Sequence, residues 1–289
     1  MMRKRKIIEI SLPYNSPLDW QSLIAFFRFH QIIGIETISE MSYGRVFKIG
    51  NTFNSLNVTH HKKEALLILQ VFTDHQTIIP WVVTKIRKMF DLDVNLSAFA
   101  DKFSNHELFN VLWMRYPGLR LASGWDPFET AINTILGQMV SVSRAKDLMR
   151  ELVERHGEKI VHPVTGEDSR LFPSPKILAE ADLTHLGTTR IRKKTIREFS
   201  WLVAQKQIDL TTQDINRLKK KLLSIAGIGP WSVEYIALRA FGDTDSFPGT
   251  DLILKRAVEK YPDINLEDFR PWRSYVAVYL WKHYTKLQS

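Results

Sequence analysis

The spacing of hydrophobic and polar residues changes character near residue 90. Before that point, short runs of alternating apolar and polar residues predict strands, because a half-buried strand repeats every two residues. These runs cover residues 7–12, 45–49, 55–58 and 65–69, and helical spacing covers 17–30 and 76–90. Residues 1–91 are therefore expected to form an N-terminal mixed α/β domain with an antiparallel sheet.

From residue 92 onward the pattern is helical almost to the C-terminus. Apolar residues recur at i, i+3 and i+4 in the segments 104–116, 127–137, 143–155, 174–180, 191–205, 211–225, 230–241, 251–261 and 272–284. No strand is expected here, and residues 156–175, which are rich in proline and glycine, are expected to form a surface loop between two halves. The predicted fold class is α+β, with residues 92–289 forming an all-α region of two helical lobes.

A short break separates two of these helices, at about 211–241, and consists of Gly227, Ile228, Gly229 and Pro230. Glycine permits positive φ and removes side chains from the turn, and proline suits the first position of a helix. The backbone N–H groups of such a helix-hairpin-helix favour an anion, such as a DNA phosphate. Its outward carbonyls would also suit a monovalent cation that bridges to a phosphate. An ordinary corner between two helices remains the alternative.

Composition narrows the possible partners and chemistry. The 40 Lys and Arg residues exceed the 31 Asp and Glu residues, which gives a net charge of +9. This excess suits a polyanionic partner, although a generic basic protein is equally compatible with it. The absence of cysteine excludes disulfides, thiolate nucleophiles, zinc–thiolate sites and Cys-ligated iron–sulfur clusters.

Targeting signals are not evident in the sequence. No apolar run approaches the roughly 20 residues that span a bilayer, so no membrane partner is expected. The N-terminal segment is read as a strand and not as a signal peptide. The expected location is the cytoplasm, with the nucleoid, in a bacterium and the nucleus otherwise. His60 and His61 fall at a predicted turn, and a solvated pair is favoured over a metal site.

Several segments, in order, resemble the alkylation-type DNA-3-methyladenine glycosylases of the helix-hairpin-helix superfamily. They are FETAINTILGQMVSVSRAKDL, FPSPKILAEAD with LGTTRIRKKTI, IAGIGPWSVEYIALRAF, FPGTDLIL and RPWRSYVAVYLW. The resemblance covers about residues 120 to 285, whereas the N-terminal domain matches only in size and in mixed α+β character. It implies a DNA glycosylase fold for the helical region.

The resemblance places the family's catalytic aspartate on Asp251, near the start of a helix, where a carboxylate is favoured in its charged form. There it would face an oxocarbenium-like sugar and orient or activate water. Glycosidases commonly use two carboxylates, but an alkylated purine is already cationic and needs little acid assistance to leave. A helix cap is the alternative role for Asp251, and Asp243 and Asp245 are expected to be turn residues.

The superfamily's bifunctional members carry a lysine nucleophile just after the hairpin, where this chain has Trp231. An indole cannot form a Schiff base, so the resemblance implies no lyase activity. The lysines at 219–221 are expected to contact phosphates. Thr250 and Pro230 depart from the family's usual residues, which affects the local charge and leaves Asp251 in place.

Base chemistry on duplex DNA requires the nucleotide to leave the stack. The resemblance implies that Met139, with Gln138 in the same loop, wedges into the gap, although core packing is the alternative for Met139. The flipped base would meet Tyr235, Trp272 and Trp231, whose electron-rich rings suit a cationic base. At the hairpin, the resemblance implies that a phosphate contacts Gly227, Ile228 and Gly229, and that Na⁺ or K⁺ binds the carbonyls of Leu223, Ile225 and Ile228.

The predicted function is that of a monofunctional DNA glycosylase in base excision repair. It would hydrolyse the N-glycosidic bond of 3-methyladenine and other alkylated purines in double-stranded DNA and leave an abasic site. No other cofactor and no obligate protein partner are expected, and the protein should be a monomer. Two alternatives remain: a non-catalytic DNA-damage-binding protein of the same fold, and a glycosylase for deaminated or oxidised bases.

Overall fold

The N-terminal part of the chain folds around a five-stranded antiparallel sheet. The structure is a computed structural model that describes residues 6–285. The strands are β1 (Ile7–Pro13), β2 (Glu36–Ile38), β3 (Ser42–Ile49), β4 (Thr52–His61) and β5 (Leu66–Phe72). Their order is β1-β5-β4-β3-β2, so β2 to β5 form a meander and β1 pairs with β5. This sheet confirms the predicted α+β fold class.

Two helices complete this domain, α1 (Trp20–Phe29) and α2 (Ile79–Met89). Asp19 caps α1 by accepting a hydrogen bond from the Ser22 N–H at 3.0 Å. Both helices pack their apolar faces against the sheet, together with Trp125 from the chain beyond residue 91. The core of the sheet therefore draws on residues past the predicted domain boundary.

The rest of the chain is mainly helical, as predicted. Its helices are α3 (Ser97–Ser104), α4 (Glu107–Arg115), α5 (Pro127–Gly137), α6 (Val142–His156), α7 (Pro175–Glu180), α8 (Arg190–Ala204), α9 (Ile215–Leu223), α10 (Pro230–Phe241), α11 (Leu252–Lys260) and α12 (Arg273–Thr285). None of the helices within residues 6–285 combines the length and apolar composition needed to cross a bilayer. One core cluster joins α5, α6 and α8 to α10, and a second joins α3, α4, α11 and α12.

The expectation of no strand after residue 92 is wrong. Strands β6 (Lys159–Val161) and β7 (Asp168–Arg170) pair antiparallel inside the segment that was expected to be a loop. Each has three residues, which is too short for an alternating pattern to be recognised. The β6–β7 hairpin is held to the N-terminal domain, because the Arg170 N–H donates to the Gly34 carbonyl at 3.0 Å.

The expectation for His60 is also wrong. His60 and His61 close strand β4 and do not lie at a turn. The Nε2 atom of His60 lies 2.9 Å from the Tyr14 hydroxyl, and its ring stacks on Trp20 with centroids 5.1 Å apart. His60 is therefore packed against two aromatic rings, whereas His61 is exposed.

A buried ion cluster joins the sheet to the helical region. Arg45 on β3 is 3% exposed, and its Nη2 donates to both carboxylate oxygens of Glu129 on α5 at 3.0 Å. Its Nη1 donates to Glu36 at 3.3 Å. Burial raises the pKa of Glu129 to about 7. The carboxylates of Glu129 and Glu36 raise the pKa of Arg45. We take Glu129 as ionised at neutral pH, because both of its oxygens accept from the guanidinium.

Candidate active site

A cavity of about 510 Å³ lies between α1, α5, α6, α10 and α12, at the start of α11. This volume lies within the usual range for small-molecule sites. Its walls combine aromatic, apolar and charged side chains, among them Phe26, His30, Trp231, Tyr235, Asp251 and Trp281. Both the N-terminal domain and the helical region therefore supply walls.

Asp251 stands at the cavity wall as the N-cap of α11. Its Oδ1 accepts from the N–H groups of Ile253 and Leu254 at 3.0 and 3.2 Å. The indole N–H of Trp281 also donates to Oδ1, and that of Trp231 donates to Oδ2, both at 3.1 Å. These donors hold the carboxylate in one orientation. An ionised carboxylate oxygen offers about two acceptor sites, so Oδ2 retains capacity for a substrate or water.

A wall of two stacked aromatic rings stands beside this carboxylate. Trp231 and Tyr235 stand four residues apart on α10 and so share one helix face. Their rings stack with centroids 4.8 Å apart and an interplanar angle of 15°. Trp281 from α12 meets Tyr235 edge-on at 5.9 Å. The arrangement presents electron-rich rings to whatever occupies the cavity.

Trp272, the third predicted base-pocket aromatic, does not line this cavity. Its ring packs against Phe99 at 5.4 Å and Tyr275 at 5.8 Å, in the core formed by α3, α4 and α12. Trp281 takes the third aromatic position instead. Both tryptophans belong to the C-terminal apolar segment, and α12 is apolar on nearly all sides, so periodicity could not show which of them faces the cavity.

The loop between α5 and α6 projects Met139 into solvent. This side chain is 97% exposed, and its φ is +52°. Core packing, the alternative role for Met139, is therefore wrong. Gln138 points the other way, because its Nε2 donates to the Gly227 carbonyl at 3.0 Å and to the Ser232 hydroxyl at 2.8 Å. Gln138 thus braces the loop against the turn between α9 and α10.

The two glycines of that turn serve different purposes. Gly227 has φ +92°, and an added Cβ would lie 2.2 Å from the Thr195 hydroxyl oxygen, so the fold itself requires glycine there. Gly229 has φ −93° and ψ 176°, which any residue adopts, and an added Cβ would meet nothing within 4 Å. Of the two glycines, Gly227 is therefore the one that uses the positive φ that glycine permits. The missing side chain of Gly229 leaves open surface at the start of α10.

Known proteins resemble this chain in sequence and in fold. Residues 9–126 match the family model of the AlkA N-terminal domain. The chain is 26% identical over 282 residues to DNA-3-methyladenine glycosylase 2 of Escherichia coli, covering 94% of this chain and 96% of the relative. This chain is a homologue of DNA-3-methyladenine glycosylase 2. The AlkA N-terminal domain match extends past residue 91, where the domain boundary was predicted.

A second relative is longer than this chain. The chain is 30% identical over 285 residues to the Mycobacterium tuberculosis protein named "Probable bifunctional transcriptional activator/DNA repair enzyme AlkA". It spans 56% of the length of that relative. The printed names of the two relatives are thus those of a DNA glycosylase and of a transcriptional activator and DNA repair enzyme.

Solved structures confirm the fold of this glycosylase 2 homologue. A 3-methyladenine DNA glycosylase from Archaeoglobus fulgidus matches with a TM-score of 0.78 at 20% identity, covering 94% of this chain and 96% of that one. A structure titled "MBOgg1 in complex with low affinity DNA ligand" matches with a TM-score of 0.75 at 20% identity, covering 99% and 98%. The chain therefore shares the helix-hairpin-helix glycosylase fold.

Two of the lysines expected at phosphates are engaged elsewhere in this glycosylase 2 homologue. Lys219 Nζ lies 2.9 Å from Glu234 and 3.4 Å from Asp243, and Lys221 donates to the Gln207 carbonyl. Glu234 also accepts from the Phe247 N–H at 3.1 Å. Lys219 therefore braces the segment that leads to Asp251, and Lys220 is the lysine of this run that is exposed.

His30 and Arg239, like Trp281, line the cavity although the sequence did not predict them there. His30 follows α1, and its Nε2 lies 2.8 Å from the Tyr235 hydroxyl. Arg239 on α10 is 7% exposed, and its guanidinium lies over Phe26 at 4.3 Å and Trp281 at 5.4 Å. No local motif marks either residue, because their neighbours come from distant parts of the chain. The helical spacing of Arg239 with Tyr235 was the one available signal.

Proposed function

We propose that this chain is a monofunctional DNA glycosylase that releases alkylated purines such as 3-methyladenine from duplex DNA and leaves an abasic site. The observation that carries the proposal is the Asp251 carboxylate, fixed by two indole N–H groups beside the stacked Trp231 and Tyr235 rings. This places the carboxylate and the wall of stacked rings in the same cavity. Homology to DNA-3-methyladenine glycosylase 2 supports the same chemistry.

The reaction follows from this arrangement. A flipped alkylated purine carries a positive charge and stacks on the electron-rich rings. When the N-glycosidic bond breaks, its electron pair neutralises the departing base, and the positive charge moves to the sugar. The Asp251 carboxylate then stabilises the oxocarbenium-like sugar. A water molecule adds its hydroxide to the sugar carbon, and its proton passes to the carboxylate or to solvent.

DNA would be bound at the turn between α9 and α10 and opened by the loop that carries Met139. The open surface at Gly229 admits a phosphate to the N-terminal end of α10, where anions are favoured. The carbonyls of Leu223, Ile225 and Ile228 would hold Na⁺ or K⁺ beside that phosphate. Ile225 fits this role, because its carbonyl accepts one hydrogen bond, from the Ile228 N–H, and keeps a second lone pair. The exposed Met139 would fill the gap left by the flipped base.

The direct test is base release from four duplexes, which carry 3-methyladenine, 7-methylguanine, hypoxanthine or 8-oxoguanine. Released bases are separated by chromatography after single-turnover incubation. Release of the two alkylated purines supports the proposal. Release of 8-oxoguanine or hypoxanthine without the alkylated purines would favour a glycosylase for oxidised or deaminated bases, and no release from any duplex would favour a damage-binding protein.

Borohydride is expected to trap no covalent complex between this protein and DNA with an abasic site. Trapping requires an amine that attacks the sugar, and the position after the hairpin holds Trp231. Lys219, in the preceding helix, is committed to Glu234 and Asp243. The measurement is a denaturing gel with a bifunctional glycosylase as positive control. A trapped adduct that disappears on substitution of one lysine would place the protein in the bifunctional class.

Gly229→Val is expected to weaken binding to duplex DNA by roughly tenfold or more, the cost of losing a charge-assisted backbone contact. The free protein should fold normally, because the backbone conformation is ordinary and an added Cβ meets open space. Lys220→Ala is the control and should cost less, since the charge of an exposed lysine is screened by salt. Affinities are measured by anisotropy at fixed salt, on intact and abasic duplexes. A folded valine variant that binds like wild type would show that the turn is only a structural corner.

A further inference from the structure

His30 links the N-terminal domain to the aromatic wall through an ordered set of hydrogen bonds. Its Nδ1 lies 2.9 Å from the Phe26 carbonyl, and its Nε2 lies 2.8 Å from the Tyr235 hydroxyl. A carbonyl only accepts, so Nδ1 carries a proton. In a neutral ring Nε2 is then the acceptor, and the Tyr235 hydroxyl donates to it. The Arg239 guanidinium lies 5.9 Å from the centroid of the Tyr235 ring.

The ring of Tyr235 is therefore pinned at its hydroxyl. Its face lies against Trp231, and Trp231 in turn donates to Asp251. A residue of the N-terminal domain thus orients the wall beside the reacting centre. This orientation of Tyr235 requires a hydrogen-bond acceptor at the Nε2 position of residue 30.

The protonation of His30 also affects the net charge of the cavity lining. Three acidic and three basic side chains line the cavity within the described part of the chain: Glu36, Glu129, Asp251, Arg45, Lys146 and Arg239. Their formal charges cancel, so protonation of His30 would leave the lining with a net positive charge. Burial lowers the pKa of His30 to about 4, against a hydrogen bond to Phe26 that raises it, and Arg239 and Lys146 lower it further. The ring is neutral at physiological pH.

We propose that His30 is a positioning and specificity-determining residue, which pins Tyr235 and keeps the cavity lining free of net positive charge, so that cationic purines are preferred over neutral ones. This inference rests on the proposed function in so far as the cavity receives a purine. Each positive charge added to a partly buried site repels a cationic base and weakens its binding, whereas the binding of a neutral base changes little. The preference therefore depends on the neutrality of residue 30.

The test measures binding of two free probes and does not require turnover. The probes are 7,9-dimethylguaninium, a permanent cation, and 9-methylguanine, its neutral counterpart. Binding is followed by quenching of tryptophan fluorescence at neutral pH, with 15N-labelled protein checked by NMR for the protonation of the His30 ring. The variants are His30→Lys, which adds a charge, His30→Gln, which keeps a neutral acceptor, and His30→Phe, which is neutral without an acceptor. His61→Lys adds the same charge at an exposed position and is the matched control.

Wild type is expected to prefer the cation. His30→Lys should lower the ratio of cation to neutral affinity by about tenfold or more, whereas His30→Gln and His61→Lys should keep the wild-type ratio. His30→Phe should keep the ratio and weaken both affinities, because Tyr235 loses its partner. An unchanged ratio in His30→Lys, or no binding of either probe by wild type, would overturn the inference. If the lysine variant does not fold, a protonated Nε2 in wild type at neutral pH overturns it.

Base release separates this inference from the proposed function. A protein that releases 7-methylguanine from DNA but shows no charge-dependent ratio retains the proposed function and loses the role of His30. A protein that shows the expected ratios but releases no base retains a cation-selective purine cavity and loses the glycosylase proposal.

Discussion

Asp251→Asn is expected to slow base release by about 10²- to 10³-fold, the usual cost of removing a group that stabilises transition-state charge. The amide has nearly the shape of the carboxylate but carries no charge to oppose the oxocarbenium-like sugar. The protein should still fold, because asparagine caps a helix about as well as aspartate. Its amide oxygen can accept from the Ile253 and Leu254 N–H groups, as Oδ1 does now.

The same substitution also changes the wall next to the carboxylate. The Trp231 indole N–H donates to Oδ2, and an amide NH₂ in that place would set donor against donor. Part of the loss therefore comes from a displaced Trp231. Crystal structures or tryptophan fluorescence of the variant would show this displacement.

Asp214→Asn is the matched control for this experiment. Asp214 caps α9 through the Arg217 N–H at 2.9 Å, and it is not among the residues that line the cavity. The control tests a capping aspartate without the cavity and should release base at the wild-type rate. Single-turnover rates on 7-methylguanine duplexes, with DNA affinity measured in parallel, give the comparison. Near-native rates in Asp251→Asn would mean that another group carries the chemistry.

Glu129→Ala is expected to lower the free energy of unfolding by about 3 kcal/mol. Removing one member of a buried ion pair leaves the other without compensation, at a cost of roughly 3–5 kcal/mol. We expect the low end of this range, because Arg45 keeps Glu36 as a partner at 3.3 Å. The Arg45 and Glu129 side chains are only 2% and 13% exposed, so water can do little to replace the lost carboxylate.

Lys48 and Glu158 provide a control pair, which also connects β3 to the chain after α6. Their atoms lie 2.8 Å apart, but the side chains are 32% and 45% exposed. Exposed pairs contribute about 0–1 kcal/mol, so Glu158→Ala should have a small effect. Both variants are compared by urea denaturation monitored with circular dichroism. Equal effects in the two variants would show that the buried cluster contributes no more than a surface pair.

Much of the fold follows from periodicity. The alternating runs found four of the five strands of the sheet and missed the short β2. The helical spacing found most helices, with the range of α5 predicted as the structure shows it. The failures have a physical pattern. Strands β6 and β7 are too short to repeat, and α3 is a short helix in which no periodic face was recognised.

The site was less predictable than the fold. The resemblance to the glycosylase family singled out Asp251, Trp231 and Tyr235, and the structure brings all three together. Nothing local marks Trp281 or His30, because each meets the cavity only through contacts between distant parts of the chain. Gly229 shows a further limit, since its sequence signal is the same as that of Gly227 although only Gly227 has a positive φ. Spacing reveals that glycine is present and does not reveal whether conformation or access requires it.

The amide of Gln138 has a consequence for how the protein would search DNA. Because it joins the Met139 loop to the hairpin turn through Gly227 and Ser232, the two elements form one mechanical unit. Proteins held by phosphate contacts slide along the duplex, and each pause of the hairpin on a phosphate would then bring Met139 against the neighbouring base step. The protein would bind the phosphate and test the neighbouring base step at the same time at each site, without a separate closing motion.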